Sequence, residues 1–467
     1  MRQTDNSRKY NQLRAAFPRF VYETARAEKT AEGISLQFVF SQNDELVFKP
    51  SMFFPDKGRF LNLPDELLQT FAFHVGMVEM ISYWKAFCSP RILVMPFRLN
   101  TGQEQWWKKL FRFGLGEFFY TNGIEVPGEE MLSFEYPAEA AYFKKFELEN
   151  FTESIIIPVG GGKDSVVTLE LLKNSGADIL PLVMNQRGAT RQVLEAAGFG
   201  PEDTLEIHRT LDPLLLKLNE QGFLNGHTPF SALLAFMTTF AATLTGKRHI
   251  ALSNESSANE ASIPGTKINH QYSKSFEFEQ DFRNYLSDYL LGEVNYFSFL
   301  RPLNELQIGA LFSGFQQYHG VFKSCNAGSK TDSWCCNCSK CLFTYTILAP
   351  FIKEEKMAAI FGENLFEKVS LAPILDQLTG VAEIKPFECV GTLDEVNAAL
   401  QEAIRQKKER KLPPLLQHYK NQQSAIPGQN NFDEFLNDFH EPHALQPRFK
   451  TLLQESIKSL LPIDNKF

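Results

Sequence analysis

The sequence predicts an α/β protein whose core is a doubly wound parallel sheet. Strand-like and helix-like segments alternate from residue 154 to about residue 304, which is typical of parallel strands covered by helices on both faces. A glycine-rich turn joins the first of these strands to its helix. Four cysteines with short spacings follow this core. We therefore expect an N-terminal α+β unit (residues 1–150), a core with a cysteine knuckle (151–345) and a helical C-terminal region (346–467).

Composition limits the class of protein. The chain has 467 residues, of which 43% are hydrophobic and 22% charged, so it can bury a large core. A net charge of −8 gives no general attraction to nucleic acid. The first residues lack the apolar stretch of a signal peptide, and the apolar run at 232–244 is too short to span a bilayer. We expect a cytoplasmic protein with no nucleic-acid or membrane partner, whose seven cysteines are reduced or bound to metal.

In the N-terminal unit, residues 34–40 and 45–48 are strand-like, and a polar turn joins them as a hairpin. Helical spacing predicts helices over 67–87 and 106–120, and residues 91–95 form a short strand. The run Ser-Tyr-Trp-Lys at 82–85 could contact a substrate. The interpretation that we favour for it is a helix end with a solvated Lys85.

The core is predicted to contain four strands and four helices. The strands are at 154–159, 179–184, 204–208 and 248–253, and the helices at 165–175, 190–197, 211–221 and 230–245. Ligands of such sheets bind at the carboxyl ends of the strands. Four segments fall there, namely the glycine turn, residues 185–187, residues 253–274 and the loop near Arg301.

The glycine turn contains Gly160, Gly161 and Gly162. Glycine lets a backbone approach a ligand closely, and the free N–H groups of the following helix, with its dipole, favour an anion. Lys163 adds a positive charge, and Asp164 or Ser165 can cap the helix. The ligand best suited to this turn is a pyrophosphate. The alternative is a glycine-rich turn that binds nothing.

Two common nucleotide loops do not fit this turn. A Walker A loop requires glycine at Ile157 and Ser or Thr at Asp164, and a dinucleotide fingerprint requires glycine at Ser165. The sequence resembles instead the PP-loop of the ATP pyrophosphatases, S-G-G-x-D-S, with Gly160 in place of the first serine. That resemblance implies a HUP-like nucleotide-binding core that cleaves ATP between its α and β phosphates, with Mg²⁺ as the metal.

The long polar segment at 253–274 follows a buried strand, and long loops in compact domains are often functional. Glu255, His270 and Lys274 are its candidates for acid–base chemistry, although each could instead hold a phosphate or a carboxylate. Asn185 is a further candidate near the phosphates. Arg301 could clamp a phosphate, or form a surface salt bridge.

Cys325, Cys335, Cys338 and Cys341 predict a metal site. Nine residues separate the first two, and two residues lie between each later pair. Paired C-x-x-C turns place thiolates on one side of a knuckle, and a fourth cysteine completes a tetrahedron. Zinc is the first choice and an iron–sulfur cluster the second. Cys88, Cys336 and Cys389 do not fit the spacing, and we expect them to be structural.

The order of motifs in the core resembles one family, the UDP-N-acetylmuramoyl-L-alanyl-L-glutamate epimerases (the MurL family). The matching residues are 158–165, 253–255, 263–266, 269–271, 273–274, 301–303, 324–326, 334–335, 338, 340–341 and 385–391. Residues 82–85 and 116–120 extend the likeness into the N-terminal unit. One departure is Cys336 in the knuckle, where glycine is expected, but the ligand spacing is kept.

The resemblance implies an enzyme of peptidoglycan precursor synthesis, and hence of cell-wall biogenesis, cell shape and division. It would use ATP and Mg²⁺ to invert the terminal L-Glu of UDP-MurNAc-L-Ala-L-Glu through an acyl-adenylate, releasing AMP and pyrophosphate. The runner-up is a PP-loop ligase resembling the 7-cyano-7-deazaguanine synthases, which are shorter and lack this N-terminal unit. A third hypothesis is a nucleotide-binding regulatory protein without turnover. Product analysis separates the three, since they give an epimerised dipeptide with AMP, a nitrile with AMP, or no AMP.

Overall fold

The structure, a computed structural model, describes residues 5–43, 45–260, 272–408, 410–422 and 431–460. These residues form a mixed α/β protein, as the sequence predicts. The helices and strands up to residue 150 are α1 (Ser7–Ala16), β1 (Arg19–Thr30), β2 (Gly33–Gln42), β3 (Leu46–Phe48), β4 (Ser51–Pro55), α2 (Asp65–Trp84), β5 (Arg91–Val94), α3 (Thr101–Gly114), α4 (Gly116–Thr121) and β6 (Ser133–Glu135).

The middle of the chain alternates between strands and helices. Its elements are β7 (Thr152–Pro158), α5 (Lys163–Asn174), β8 (Ile179–Met184), α6 (Gly188–Ala196), β9 (Leu205–Thr210), α7 (Pro213–Glu220), α8 (Phe230–Thr245), β10 (Lys247–Leu252), α9 (Phe276–Tyr285), β11 (Asn295–Ser298) and α10 (Glu305–Gly314). The four predicted core strands and four predicted core helices are confirmed within a few residues at each end.

The elements described after residue 330 are helical. They are α11 (Ser339–Leu348), α12 (Glu354–Phe361), α13 (Ala372–Thr379), α14 (Leu393–Lys407), α15 (Pro414–Gln422), α16 (Phe432–Asn437) and α17 (Pro447–Lys458). No helix in the described ranges combines the length and the apolar character that a membrane crossing requires.

Two compact units are distinguished. The first contains the described residues of 1–156, 205–250 and 267–296, and the second those of 157–204, 251–266 and 297–467. Each unit is therefore assembled from three separate stretches of chain. The division of the sequence at residues 150 and 345 stays a prediction.

The first unit is built on paired strands. β2 pairs antiparallel with β1, β3 and β4, and β4 pairs antiparallel with β9, whereas β1 with β5, β5 with β6 and β7 with β10 are parallel. The β2–β3 pairing confirms the predicted hairpin. The buried helix α2 packs on β1 and on α8. The ring of Phe240 on α8 lies 4.9 Å from that of Phe54 and 5.1 Å from that of Phe71.

The second unit places α5 and α10 against each other, with α11 packed on α10 and α14. After β7 ends, the Val159 N–H donates to the Leu182 carbonyl of β8 at 2.9 Å. Phe299 N–H similarly donates to the Leu252 carbonyl at 2.7 Å. These bonds extend the ladder beyond β7 and β11, at the end of the strands where the sequence predicts a ligand.

One predicted helix is wrong in extent. The spacing of residues 106–120 predicts a single helix, but the structure has α3 and α4, separated at Leu115 with φ −103° and ψ 13°. A Cβ on Gly114 would lie 2.8 Å from Pro229 Cβ, so glycine permits a close approach where α3 ends. Both helices bury an apolar face, so the apolar periodicity continues across Leu115. The sequence pattern therefore does not reveal the break.

Candidate functional site

The glycine turn of the second unit leads directly into a helix. α5 begins at Lys163, with Gly162 as its N-cap at φ −89° and ψ 169° and no side-chain cap. The prediction that Asp164 or Ser165 caps the helix is therefore wrong, because both lie within its first turn. Ser165 Oγ donates instead to the Gly162 carbonyl at 2.9 Å. An uncapped first turn keeps backbone N–H groups available to an anion.

The three glycines have different surroundings. Gly161 adopts φ +86°, and a Cβ there would lie 3.2 Å from Thr190 Cα. A Cβ on Gly162 would lie 2.9 Å from Ser324 Oγ, whereas one on Gly160 would meet no atom within 4 Å. The turn is thus closed on the sides of Thr190 and Ser324 and open at Gly160.

Lys163 is fully buried at the start of α5. Its Nζ contacts the carboxylates of Asp164 and Glu305 and lies 6.0 Å from the centre of the Phe343 ring. Burial opposes the charge of Lys163, but the two carboxylates outweigh it and raise the pKa of the ammonium group above its ordinary value. Lys163 is therefore a permanent cation.

Glu305 connects this cation to the C-terminal helices. Its backbone N–H donates to Glu395 Oε1 at 2.8 Å. Burial raises the pKa of the Glu305 carboxyl group, Lys163 lowers it, and the nearby carboxylates of Asp164, Glu255 and Glu395 raise it further. Lys163 thus contacts two carboxylates, Asp164 and Glu305, and the carboxylates of Glu255 and Glu395 act on Glu305.

Sequence reasoning missed Glu305 and Glu395. Both belong to capping-box sequences, in which Asn304 caps α10 together with Gln307, and Thr392 caps α14 together with Glu395. The capping-box pattern predicts where two helices begin, but it does not predict that Glu305 and Glu395 lie close together. The proximity arises from tertiary packing of segments 90 residues apart.

Glu255 and Arg301 are brought together in this unit. Glu255 is buried, and its carbonyl accepts a hydrogen bond from Arg301 Nη1 at 2.8 Å, while Arg301 Nη2 donates to Ser298 Oγ at 3.2 Å. Arg301 is 1% exposed, so it is not part of a surface salt bridge. Asn185 is exposed in the turn after β8, at φ +47°.

The other two acid–base candidates are Lys274 and His270. Lys274 belongs to the first unit, at the end of the short 3₁₀ turn Tyr272–Lys274 that precedes α9. His270 lies outside the described residues. The proposal that these two side chains transfer protons therefore stays a prediction.

The segment at 385–391 reaches the same unit. Lys385 forms an ion pair with Glu260, which lies in the same polar segment as Glu255. A Cβ on Gly391 would lie 2.5 Å from Glu395 Oε2 and 3.0 Å from Glu305 Cγ. Glycine at 391 thus allows the C-terminal segment to pack directly on the carboxylate cluster.

The four predicted metal ligands form one cluster. The sulfur atoms of Cys325, Cys335, Cys338 and Cys341 all lie within 4.8 Å of one another. Three sulfur pairs measure 3.9 Å (Cys325–Cys338), 3.8 Å (Cys335–Cys341) and 3.5 Å (Cys338–Cys341). A tetrahedral zinc site with Zn–S bonds of ~2.3 Å requires sulfur separations of about 3.8 Å, so the cluster fits this metal.

The neighbourhood of the sulfurs also fits thiolate ligands. Backbone N–H groups of Gly328 and Cys335 donate to Cys325 Sγ at 3.1 and 3.4 Å. The hydrogen bond with the Cys341 thiol lowers the pKa of Cys338 to about 5, whereas burial raises the pKa of Cys335 and the hydrogen bond with Cys338 raises that of Cys341. Cys336 is turned away from the group, with Sγ donating to the Phe361 carbonyl at 3.2 Å.

The cysteine knuckle adjoins the glycine turn. Lys323 N–H donates to the Gly161 carbonyl at 3.0 Å, and Ser324 faces Gly162. These two residues immediately precede the first cysteine ligand. A metal that orders Cys325 would therefore also order one wall of the glycine turn.

Comparison with known proteins gives a consistent result. Residues 11–299 match the model of the MurL N-terminal domain, and residues 321–433 that of the MurL C-terminal domain. The chain is 33% identical over 377 residues to the UDP-N-acetyl-alpha-D-muramoyl-L-alanyl-L-glutamate epimerase of Xanthomonas oryzae pv. oryzae, covering 78% of this chain and 81% of that protein. Proteins of the same name from a Micromonospora species and from Salinispora tropica are 36% and 35% identical, covering 72% and 69% of this chain and 75% and 71% of theirs.

Proposed function

The chain belongs to the MurL family of UDP-N-acetyl-alpha-D-muramoyl-L-alanyl-L-glutamate epimerases, and from that membership we propose how it works. It is an isomerase that inverts the terminal L-glutamate of UDP-MurNAc-L-Ala-L-Glu to D-glutamate. We propose that the reaction uses ATP and Mg²⁺ and releases AMP and pyrophosphate. The observation that carries the ATP-dependence is the uncapped helix start behind the glycine turn, with buried Lys163 at its first position.

The geometry of the turn suits a pyrophosphate. Gly160 leaves open space where any other residue would place a Cβ, and the first turn of α5 presents backbone donors next to a permanent cation. The carboxylates around Lys163 would repel phosphates. Mg²⁺, a hard cation that binds both carboxylates and phosphates, would offset that repulsion at Asp164, which is the most exposed of the carboxylates bonded to Lys163.

Activation by ATP explains how a weak carbon acid is deprotonated. Removing the Cα proton beside a free carboxylate would create a dianion. If a carboxylate oxygen first attacks the α-phosphorus of ATP, pyrophosphate leaves and the acyl-adenylate has no negative charge on that carbonyl. The Cα proton can then be removed by a base and returned by an acid on the opposite face, after which water releases AMP.

We propose Glu255, His270 and Lys274 for the acid–base and substrate-orienting roles. Support for Glu255 comes from its burial in the second unit and from its influence on the pKa of Glu305. Lys274 and His270 are proposed on the sequence alone. Arg301 is proposed to hold Glu255 in place, since it donates to the Glu255 carbonyl. Asn185 is proposed to contact the nucleotide.

The cysteine cluster would hold a structural Zn²⁺. Four thiolates complete the coordination of this ion and leave no position for a substrate, so its contribution is to stability. An iron–sulfur cluster is the second choice for the same ligands.

The deciding experiment is incubation of the purified protein with ATP, Mg²⁺ and UDP-MurNAc-L-Ala-L-Glu in heavy water. We expect D-glutamate, AMP and deuterium at Cα. Asp164→Ala should abolish all three, whereas a variant that lacks only a proton-transfer group, tested as Lys274→Ala and His270→Ala, should still form AMP without deuterium exchange. A nitrile formed with AMP would favour the alternative PP-loop ligase, and epimerisation without AMP would refute the proposed use of ATP.

A further inference from the structure

Two segments of the first unit converge on the short loop of residues 225–227. Lys85, just after α2, donates through Nζ to the Gly226 carbonyl. On α4, Glu117 Oε2 lies 3.4 Å from His227 Nδ1. Asn122, which follows α4, donates to the Asn225 carbonyl at 3.0 Å.

Lys85 is not the solvated lysine that the sequence predicts. It is 7% exposed, and among the described residues its ammonium group donates to a neutral carbonyl group rather than to a carboxylate. Glu79, a buried carboxylate on α2, is already paired, because it accepts two hydrogen bonds from Arg209 at 2.9 and 3.0 Å. The loop therefore faces a buried ammonium group for which the described residues supply no ion pair.

The charge of the Lys85 ammonium group is disfavoured by its surroundings. Burial and the nearby Arg209 lower the pKa of Lys85 to about 8, with the Cys88 thiol acting in the opposite direction. Lys85 is thus mostly charged at pH 7, in surroundings that disfavour the charge. An ammonium group has three N–H donors, and the Gly226 carbonyl takes one of them. An anion that accepted a second bond would offset the unfavourable burial.

We propose that Lys85 and the loop of residues 225–227 form a binding site for an oxyanion of the substrate. The ligand is a phosphate of the UDP group or a carboxylate of the glutamyl end. Its identity as part of UDP-MurNAc-L-Ala-L-Glu rests on the proposed function. The contact between Glu117 and His227 holds the loop in the position that Lys85 requires.

The test measures binding to the full-length protein without ATP, so that it is independent of turnover. UDP and L-Ala-L-Glu are titrated separately by calorimetry at pH 7 into wild type, Lys85→Met, Lys85→Arg and Lys9→Met. Lys9 is the matched control, since its Nζ also donates to a loop carbonyl, Gly222 O at 3.0 Å, but on the exposed surface. We expect Lys85→Met to bind one of the two ligands at least tenfold more weakly, Lys85→Arg to retain part of the affinity, and Lys9→Met to match wild type.

The affected ligand identifies the source of the oxyanion. Wild-type affinity of Lys85→Met for both ligands, with a wild-type melting curve, would show that Lys85 only joins α2 to the loop. If Lys85→Met does not fold, acylation of the wild type by a small anhydride replaces it. Saturating UDP-MurNAc-L-Ala-L-Glu should then slow modification of Lys85 at least threefold and leave Lys9 unchanged, and equal rates would overturn the site. Protection of Lys85 without epimerisation would instead refute the proposed function and keep the site.

Discussion

At the scale of single residues, a substitution of Gly161 can separate the effect of backbone strain on stability from the effect of a side chain on nucleotide binding. Its φ of +86° disfavours any side chain, and a Cβ would also press on the backbone of Thr190 at 3.2 to 3.3 Å. Gly176, after α5, has a similar φ of +77° but open space around a Cβ. We expect Gly161→Ala and Gly176→Ala each to lose about 1–2 kcal/mol of stability from the left-handed backbone.

Only Gly161→Ala should lose nucleotide binding, because only that Cβ displaces the wall of the glycine turn. Equilibrium binding of ATP and Mg²⁺ to both variants, alongside urea unfolding, checks this expectation. Similar ATP affinities in the two variants would mean that the turn is structural.

His74 makes the stability of the protein depend on pH. It is fully buried on α2, with Nδ1 2.7 Å from the Thr70 carbonyl and Nε2 3.0 Å from the Tyr285 hydroxyl. Burial lowers the pKa of His74 to about 3, against the smaller opposing effect of the Thr70 carbonyl. As the pH falls below about 6.5, His74 of the unfolded chain becomes protonated, whereas His74 of the folded protein stays neutral until about pH 3. The free energy of unfolding therefore decreases as the pH falls from about 6.5 to about 3.

His74→Gln should remove this contribution. Between pH 7 and pH 5 the wild type should lose about 2 kcal/mol more of its free energy of unfolding than the variant. His208→Gln is the control, because the His208 side chain is 53% exposed. Urea unfolding of the three proteins at both pH values measures the difference. An equal loss in wild type and His74→Gln would mean that His74 is protonated, or solvated, in the fold.

At the scale of elements, regular segments were predictable and their meeting points were not. The apolar run before Gly160 and the periodicity of residues 230–245 gave β7 and α8 because the local pattern decides them. The break at Leu115 was missed, since it depends on the approach of Pro229 to Gly114. Such a contact between distant segments leaves no mark on the local pattern.

The residues of the candidate site likewise fall into those that local spacing predicts and those that only tertiary packing brings together. The cysteine ligands were found because their spacing within 17 residues encodes the geometry. Glu305 and Glu395 were missed because the contact of Glu305 with Lys163, and its hydrogen bond with Glu395, arise only from the packing of α10 on α5 and α14. Lys85 was assigned to solvent because burial of a lysine at a helix end is rare and no local signal announces it.

We expect the cysteine knuckle to couple metal binding to the glycine turn. Cys335→Ser should remove one of four ligands, lower the bound zinc well below one per chain and destabilise the protein. Because Lys323 N–H bonds to the Gly161 carbonyl two residues before Cys325, the same variant should also bind ATP more weakly. Cys336→Ser is the matched control, since its sulfur bonds to the Phe361 carbonyl outside the cluster.

Metal analysis and ATP titration of the two variants measure these effects. Full zinc content in Cys335→Ser would exclude the predicted ligand set. Loss of zinc with unchanged ATP affinity would show that the knuckle stabilises the protein without shaping the glycine turn.

At the scale of the whole molecule, the two units are each assembled from separated stretches of chain. In the first unit, β9 pairs along one edge with β4, with Ser51 opposite Thr210. The core-facing rings of α8 depend on the N-terminal residues as well, since Phe236 stacks on Trp107 at 5.4 Å and Phe240 contacts Phe54 and Phe71. A cut at residue 150 therefore divides one hydrophobic core.

We expect the fragment 151–467 alone to aggregate or to bind the dye ANS, without a cooperative melt. Each phenylalanine of α8 that loses its cover gives up about 1.5–3 kcal/mol of burial, and the exposed edge of β9 favours association between copies. Co-expression with the fragment 1–150 is the control and should restore a soluble complex that melts as one species, because the separated pieces still carry complementary strands and rings. Size-exclusion chromatography and thermal melts distinguish the cases. A monomeric fragment 151–467 with a sharp melt of its own would instead establish residue 150 as a true domain boundary, as the sequence predicts.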